Sequence, residues 1–169
     1  MKFLLFKSVV RFFTGFILAI PMMTGIALAQ SVQPIASFPG ANDPLWLQAP
    51  HKGNDPYVHN GSEIEMEDRG DFIHITYTKP RPSLATLGIV KGTLLFSGRH
   101  EGDFVYGVAY TFKANCPPAP YTVRGIFDPQ RNLVLVGNAP KRGFGCEIVG
   151  YSEFAGNNRL VFEEAFGDE

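Results

Sequence analysis

Chemistry in this chain would have to come from a few scattered side chains. His100, Glu101 and Asp103 gather polar donors within four residues. A single turn aims at most two or three of them at one point, so a metal would need ligands from elsewhere. Solvated turn residues are the simpler reading. His51, His59 and His74 are linked by no ligand spacing. Ser62 after Gly61 and Ser97 before Gly98 lack the Gly-x-Ser-x-Gly setting that activates a hydroxyl. The carboxylates Glu63, Glu65, Glu67, Glu163 and Glu164 fall on strand segments, where acids usually solubilise an edge. No phosphate loop, dinucleotide fingerprint or metal motif occurs. The residues therefore assign no catalytic group, no metal and no cofactor. They leave an enzyme open and point more directly to binding.

Binding chemistry has better candidates. Arg81 stands between Pro80 and Pro82, and a guanidinium on so rigid a support suits a carboxylate or a phosphate. It could equally pair with an acid over the mouth of a domain. Arg124 alternates with Val123 and points either outward or beneath a ligand. Tyr106, Tyr110 and Tyr121 offer flat apolar surface with hydroxyl tips. They fill a core, line a cavity, or, if the small residues of the same strand face inward, stand outside for a protein or a glycan.

These side chains are carried by strands. From Ser62 the apolar period is two: Ile64 and Met66 oppose Glu63, Glu65 and Glu67. Asp68-Arg69-Gly70-Asp71 reads as a turn, and Phe72–Thr78 returns as a hairpin partner. Further strands are expected at 93–99, 104–113, 121–127, 133–138, 146–154 and 159–166, making eight. His100-Glu101-Gly102-Asp103, residues 128–132 and residues 156–158 serve as turns. Ser83–Val90 can make a helical turn, limited by Gly88. Nothing after the first residues sustains a 3.6 period. An antiparallel meander of eight strands leaves two open edges unless it closes. The glycines inside strands permit that coiling. The expected fold is all-β, a meander closed into a small barrel over residues 61–166, with a two-layer sandwich as the alternative.

Residues 30–60 read as an extended lead-in, because Pro34, Pro39, Pro44, Pro50 and Pro56 remove amide donors at short intervals. Leu45-Trp46-Leu47 interrupts it, either to pack back on the domain or to meet a partner. Residues 1–29 have the order of a secretory signal peptide: Lys2, Lys7 and Arg11, an apolar stretch from Phe12 to Leu28, and Ala27-Leu28-Ala29 for cleavage after Ala29. Without an Arg pair the general secretory route is implied, to the periplasm or the external medium. After cleavage no stable membrane span is expected. The leader holds three of the 15 basic residues and none of the 16 acidic ones, so the remainder is 12 against 16, net −4. Nucleic acid and anionic membranes are poor partners for that balance. Cys116 and Cys146 are the two cysteines. In an oxidising compartment they most simply form one bridge, contributing roughly 3–4 kcal/mol in the loop-entropy picture.

The runs Ile75-Thr76-Tyr77, Pro80-Arg81-Pro82, Gly92-Thr93-Leu94-Leu95-Phe96-Ser97-Gly98-Arg99, Gly107–Phe112, Pro120–Gly125 and Val136–Pro140 before Cys146 resemble small exported bacterial β modules of uncharacterised function. The resemblance covers roughly residues 58–163, with Asn60-Gly61-Ser62 and Arg159–Phe162 at its ends. It implies export, a cysteine pair and β structure, and it carries no activity. The expectation is a non-catalytic exported barrel that binds an envelope protein, a glycan or a small apolar ligand. The alternatives are a small periplasmic hydrolase and an inhibitor of an envelope enzyme.

Overall fold

The computed structural model describes residues 43–165. The leader, the lead-in up to residue 42 and the chain from Phe166 lie outside the described residues. A short helix, α1 (Pro44–Gln48), precedes β1 (His51–His59), β2 (Ser62–Arg69), β3 (Phe72–Lys79), a 3-10 turn (Pro82–Leu87), β4 (Leu94–Glu101), β5 (Phe104–Thr111), β6 (Ala119–Phe127), β7 (Leu133–Val136), β8 (Ala139–Arg142), β9 (Ile148–Ser152) and β10 (Arg159–Glu164). Eight strands close into an antiparallel barrel in the order β1-β10-β7-β6-β5-β4-β3-β2. The seam is β1 on β10, with Tyr57 opposite Glu164 and Val58 opposite Glu163. Closure leaves the barrel without an edge to protect.

The strand count agrees with the sequence expectation, but two memberships change. The barrel begins at His51, ten residues inside the expected lead-in. Pro56 is tolerated there because it lies at the end of the β1–β10 seam: its carbonyl still accepts from Ala165 N at 3.0 Å, and only the reciprocal bond is missing. Residues 146–154, expected as a wall strand, instead contribute β9 to a separate two-stranded hairpin with β8. That hairpin is an excursion between β7 and β10, which pair directly, Leu135 against Leu160.

The barrel interior is filled. Tyr57, Ile73, Phe96, Tyr121, Leu133 and Phe162 are among the fully buried side chains. A barrel of eight strands holds little more than its own inward residues. The ring of Phe96 on β4 takes space that its neighbours must give up. A Cβ at Gly98 would lie 2.9 Å from Phe96 Cε1, and one at Gly107 would lie 2.7 Å from Cε2. Small residues are therefore required there, and the face of β5 carrying Val105, Gly107, Ala109 and Thr111 points inward. Tyr106 and Tyr110 consequently stand outside. An irregularity in the β3–β4 register between Ile75 and Thr76 lets consecutive Leu95 and Phe96 both be buried.

Outside the wall, α1 lies on β3. Asp43 caps it by accepting from Leu45 N at 2.8 Å. Trp46 stacks on His74 at 3.5 Å between ring centroids, with the Arg69 guanidinium 5.4 Å from its ring. Of Leu45-Trp46-Leu47, Trp46 packs back on the domain while both leucines stay exposed.

The two ends of the barrel differ. One, the turn end, carries the short β2–β3, β4–β5 and β6–β7 connections. The other, the loop end, carries the Asn60-Gly61 turn, the 3-10 turn, the β5–β6 loop and the β8–β9 hairpin. Among the described residues no helix is long and apolar enough to cross a membrane.

Candidate functional site

At the loop end the barrel mouth holds a cavity of about 90 Å³. Its apolar side is made by Leu84, Leu87, Ile89 and Leu160; its polar side by His59, Asn60, Tyr77 and Arg81. Pro80 and Pro82 hold the backbone of Arg81, whose amide donates to Ser62 Oγ at 3.0 Å and whose Nη1 donates to Asn60 O at 3.2 Å. His59 Nδ1 donates to Val161 O at 2.8 Å, so Nε2 is left to accept from the Asn60 amide at 3.1 Å. That tautomer is neutral. Burial, followed by the nearby Arg81 charge, pushes the His59 pKa below its ordinary value. Burial also raises the Tyr77 phenol, an effect that Arg81 opposes. The lining thus includes one cation and no carboxylate. It can hold water or a small hydrogen-bond acceptor, and it has no nucleophile beside a base.

The second feature of this end is the tip of the β8–β9 hairpin. Cys116 in the β5–β6 loop and Cys146 in the hairpin form a disulfide, with their Cα atoms 5.3 Å apart. It clips that excursion onto the β5–β6 loop. Side chains fix the same tip from beneath. Lys113 Nζ donates to Gly143 O at 3.0 Å and also to Gly145 O. Arg142 donates to Cys146 O at 3.0 Å and to Pro117 O. Gly143 N closes the turn on Glu147 O at 3.0 Å. Above this held backbone Phe144 is 99% exposed; Val149 and Tyr151 are exposed on the same hairpin, and Phe154 just beyond it. A ring so presented has already lost the backbone freedom that binding would otherwise remove.

The five residues singled out in the sequence do not form one site. Arg81 and Tyr110 border the mouth, and Tyr110 also borders a shallow apolar groove outside it with Leu94, Phe112 and Pro118. Tyr121 is buried in the wall below, donating to Asn157 O at 2.6 Å, and burial drives its pKa up. Tyr106 and Arg124 are cross-strand neighbours on the outer wall. Of the placements left open for these tyrosines, Tyr121 fills core, while Tyr106 and Tyr110 stand outside because the small residues of β5 face inward.

The turn end holds a pair the sequence reading passed over. Asp68 is next to last on β2, on its inward row, instead of turning, and His100 lies on β4 instead of in a solvated turn. His100 Nε2 and Asp68 Oδ1 are 3.7 Å apart, and both atoms are buried without a hydrogen-bond partner. Burial raises the Asp68 pKa, which His100 and Lys52 oppose. His100 also lines a polar cleft of about 210 Å³ with Asp71, Arg99, Glu101 and Tyr106. Only strand register, which places Gly98 beside Ile73 and so His100 near Asp68, reveals this pairing. Phe144 has a visible signal: a large aromatic between two glycines, two residues before a cysteine. Among the described residues no group of three or more His, Cys, Asp or Glu could hold a metal. No family profile, no curated protein and no solved structure matches the chain.

Proposed function

We propose that this protein is an exported, non-catalytic binding barrel that engages a partner protein in the cell envelope through its loop end. One observation carries the reading: the 143–147 tip is fixed by a disulfide and by Lys113 and Arg142, yet holds Phe144 wholly in water. A lone exposed aromatic is common, but an immobilised one has the form of an anchor for an apolar pocket. A disulfide is compatible with the oxidising compartment that the leader implies. Seated in an enzyme cleft, the same tip would act as an inhibitor.

The test is photo-crosslinking in the producing cell, with a photoreactive residue at position 144 or, as control, at Asp103 in a turn at the opposite end. A discrete adduct from position 144 only, lost when both cysteines are serine, is expected. Adducts of equal yield from both positions, or from Asp103 alone, would refute the reading.

A small hydrolase is the second reading, favoured by Asp68 and His100 beside an open polar cleft. It requires that Asp68→Asn abolish turnover of some ester or glycosidic substrate while Phe144→Ala leaves it intact.

A further inference from the structure

The register places one row of outward side chains straight across six strands. Phe72 on β3 faces Arg99 on β4, and Arg99 faces Tyr106 on β5. Tyr106 faces Arg124 on β6, Arg124 faces Val136 on β7, and Val136 faces Arg159 on β10. All three arginines are exposed. Among the described residues none of them stands in an ion pair. The guanidinium of Arg99 rests over the Phe72 ring at 4.4 Å. With strands about 4.8 Å apart, successive arginines recur every ~10 Å, a distance of the order of one disaccharide. Between the first two stands Tyr106, stacked with Phe104 at 5.8 Å.

We propose that this wall binds a linear carboxylated polysaccharide laid across the strands. The arginines take carboxylates one disaccharide apart, and Tyr106 takes the face of a sugar between them. Charge selects the ligand's sign, since a row of unpaired guanidinium groups runs along a chain whose net charge is otherwise negative. Glu101, which accepts from the Tyr106 hydroxyl at 3.1 Å, and Asp71 in the adjoining cleft mark where the cationic strip stops. An acidic peptide fits less well. Extended peptides bind sheets by pairing with an edge, and every strand of this wall is already paired on both sides. Recognition here must come from side chains alone. The site is independent of the loop end.

Fluorescent polygalacturonate titrated against the purified protein at low salt tests this. Neutral dextran, polyglutamate and an oligothymidine serve as comparison ligands. Saturable binding of polygalacturonate is expected. It should weaken by about tenfold or more in the Arg99→Gln, Arg124→Gln, Arg159→Gln triple variant, and with added salt as screening grows. Tyr106→Ala should weaken polygalacturonate by about threefold to tenfold and leave any residual polyglutamate binding unchanged. Circular dichroism and Tm confirm that the variants are folded; Tyr106→Ala alone still decides if the triple variant is not. No binding of polygalacturonate, equal binding by the triple variant, or tighter binding of polyglutamate or oligothymidine would overturn the proposal.

Discussion

The two ends of this barrel solve opposite problems with the same tool. At the turn end, Tyr57 is buried and its hydroxyl donates to Arg131 O at 2.9 Å, tying the β6–β7 turn down. At the loop end, Tyr121 is buried and its hydroxyl ties Asn157, in the connection entering β10, at 2.6 Å. Each tyrosine fills core volume and fastens a connection. The difference lies in length. Short turns leave little to display, and the turn end turns one charged pair inward, Asp68 and His100 at 3.7 Å, while Asp55 and Arg131 meet at 3.7 Å on the surface. Long connections at the other end would be slack, and a disulfide with two cationic side chains takes up that slack. The lesson is that exposure and rigidity occur together only where extra chain has been fastened.

Variants graded by expected effect sharpen this contrast. Phe96→Ala empties the centre shared by both ends and should cost about 3–5 kcal/mol, read by urea denaturation as a loss with no preference for either end. Replacing Cys116 and Cys146 by serine should free the excursion to open ahead of the barrel, with a global cost of at most roughly 3–4 kcal/mol. Hydrogen exchange should then show the extra opening at residues 112–118 and 139–152. Equal opening at the β2–β3 turn would erase the distinction between the ends. Tyr57→Phe and Tyr121→Phe should each cost about 1 kcal/mol, and a clear inequality would show that one connection is held mainly by something else.

Acid and base should also separate the ends. His59 is held below its unfolded value of 6.5 by burial. Between that value and its folded pKa the unfolded chain binds more protons, so its contribution to stability is lost as pH falls below 6.5. His59→Gln should flatten the Tm profile there. Asp68 is raised above 3.8 by burial. Its folded form holds the proton longer, so its contribution falls as pH rises through the folded pKa. Asp68→Asn should raise Tm at neutral pH and lose that advantage near pH 3. Phe144→Ala, which touches only solvent, should change stability by less than about 0.5 kcal/mol, while abolishing the adduct formed from a photoreactive residue at the neighbouring exposed Val149.

Much of the wall was legible because period-two alternation survives wherever one face is buried. Ile64 and Met66 against Glu63 and Glu65, and Ile73, Ile75 and Tyr77 on β3, read directly as inward and outward faces. β1 was not legible, because Pro56 and Gly53 hid a strand that is two-sided over only two residues. The Asn60-Gly61 pair, with φ of 48° and 74°, is the stronger signal: two left-handed residues in succession make the tight hairpin turn that joins β1 to β2. β9 misled for the converse reason. Its apolar residues look like wall residues, and only the structure shows them facing solvent on a detached hairpin. The candidate site was legible in its parts, Arg81, Tyr110 and the cysteines. Its assembly depended on which face of β5 turned inward, and that was decided by the bulk of Phe96 two strand positions from Gly98.

The central claim is that the loop-end tip is rigid while exposed, and backbone ¹⁵N relaxation tests it most directly. In the oxidised protein, order parameters for Phe144 and Gly145 should be about 0.85, like the barrel strands, and should fall below about 0.6 after reduction. Values below about 0.6 with the disulfide intact would contradict the account, since a floppy Phe144 could not serve as a prepared anchor.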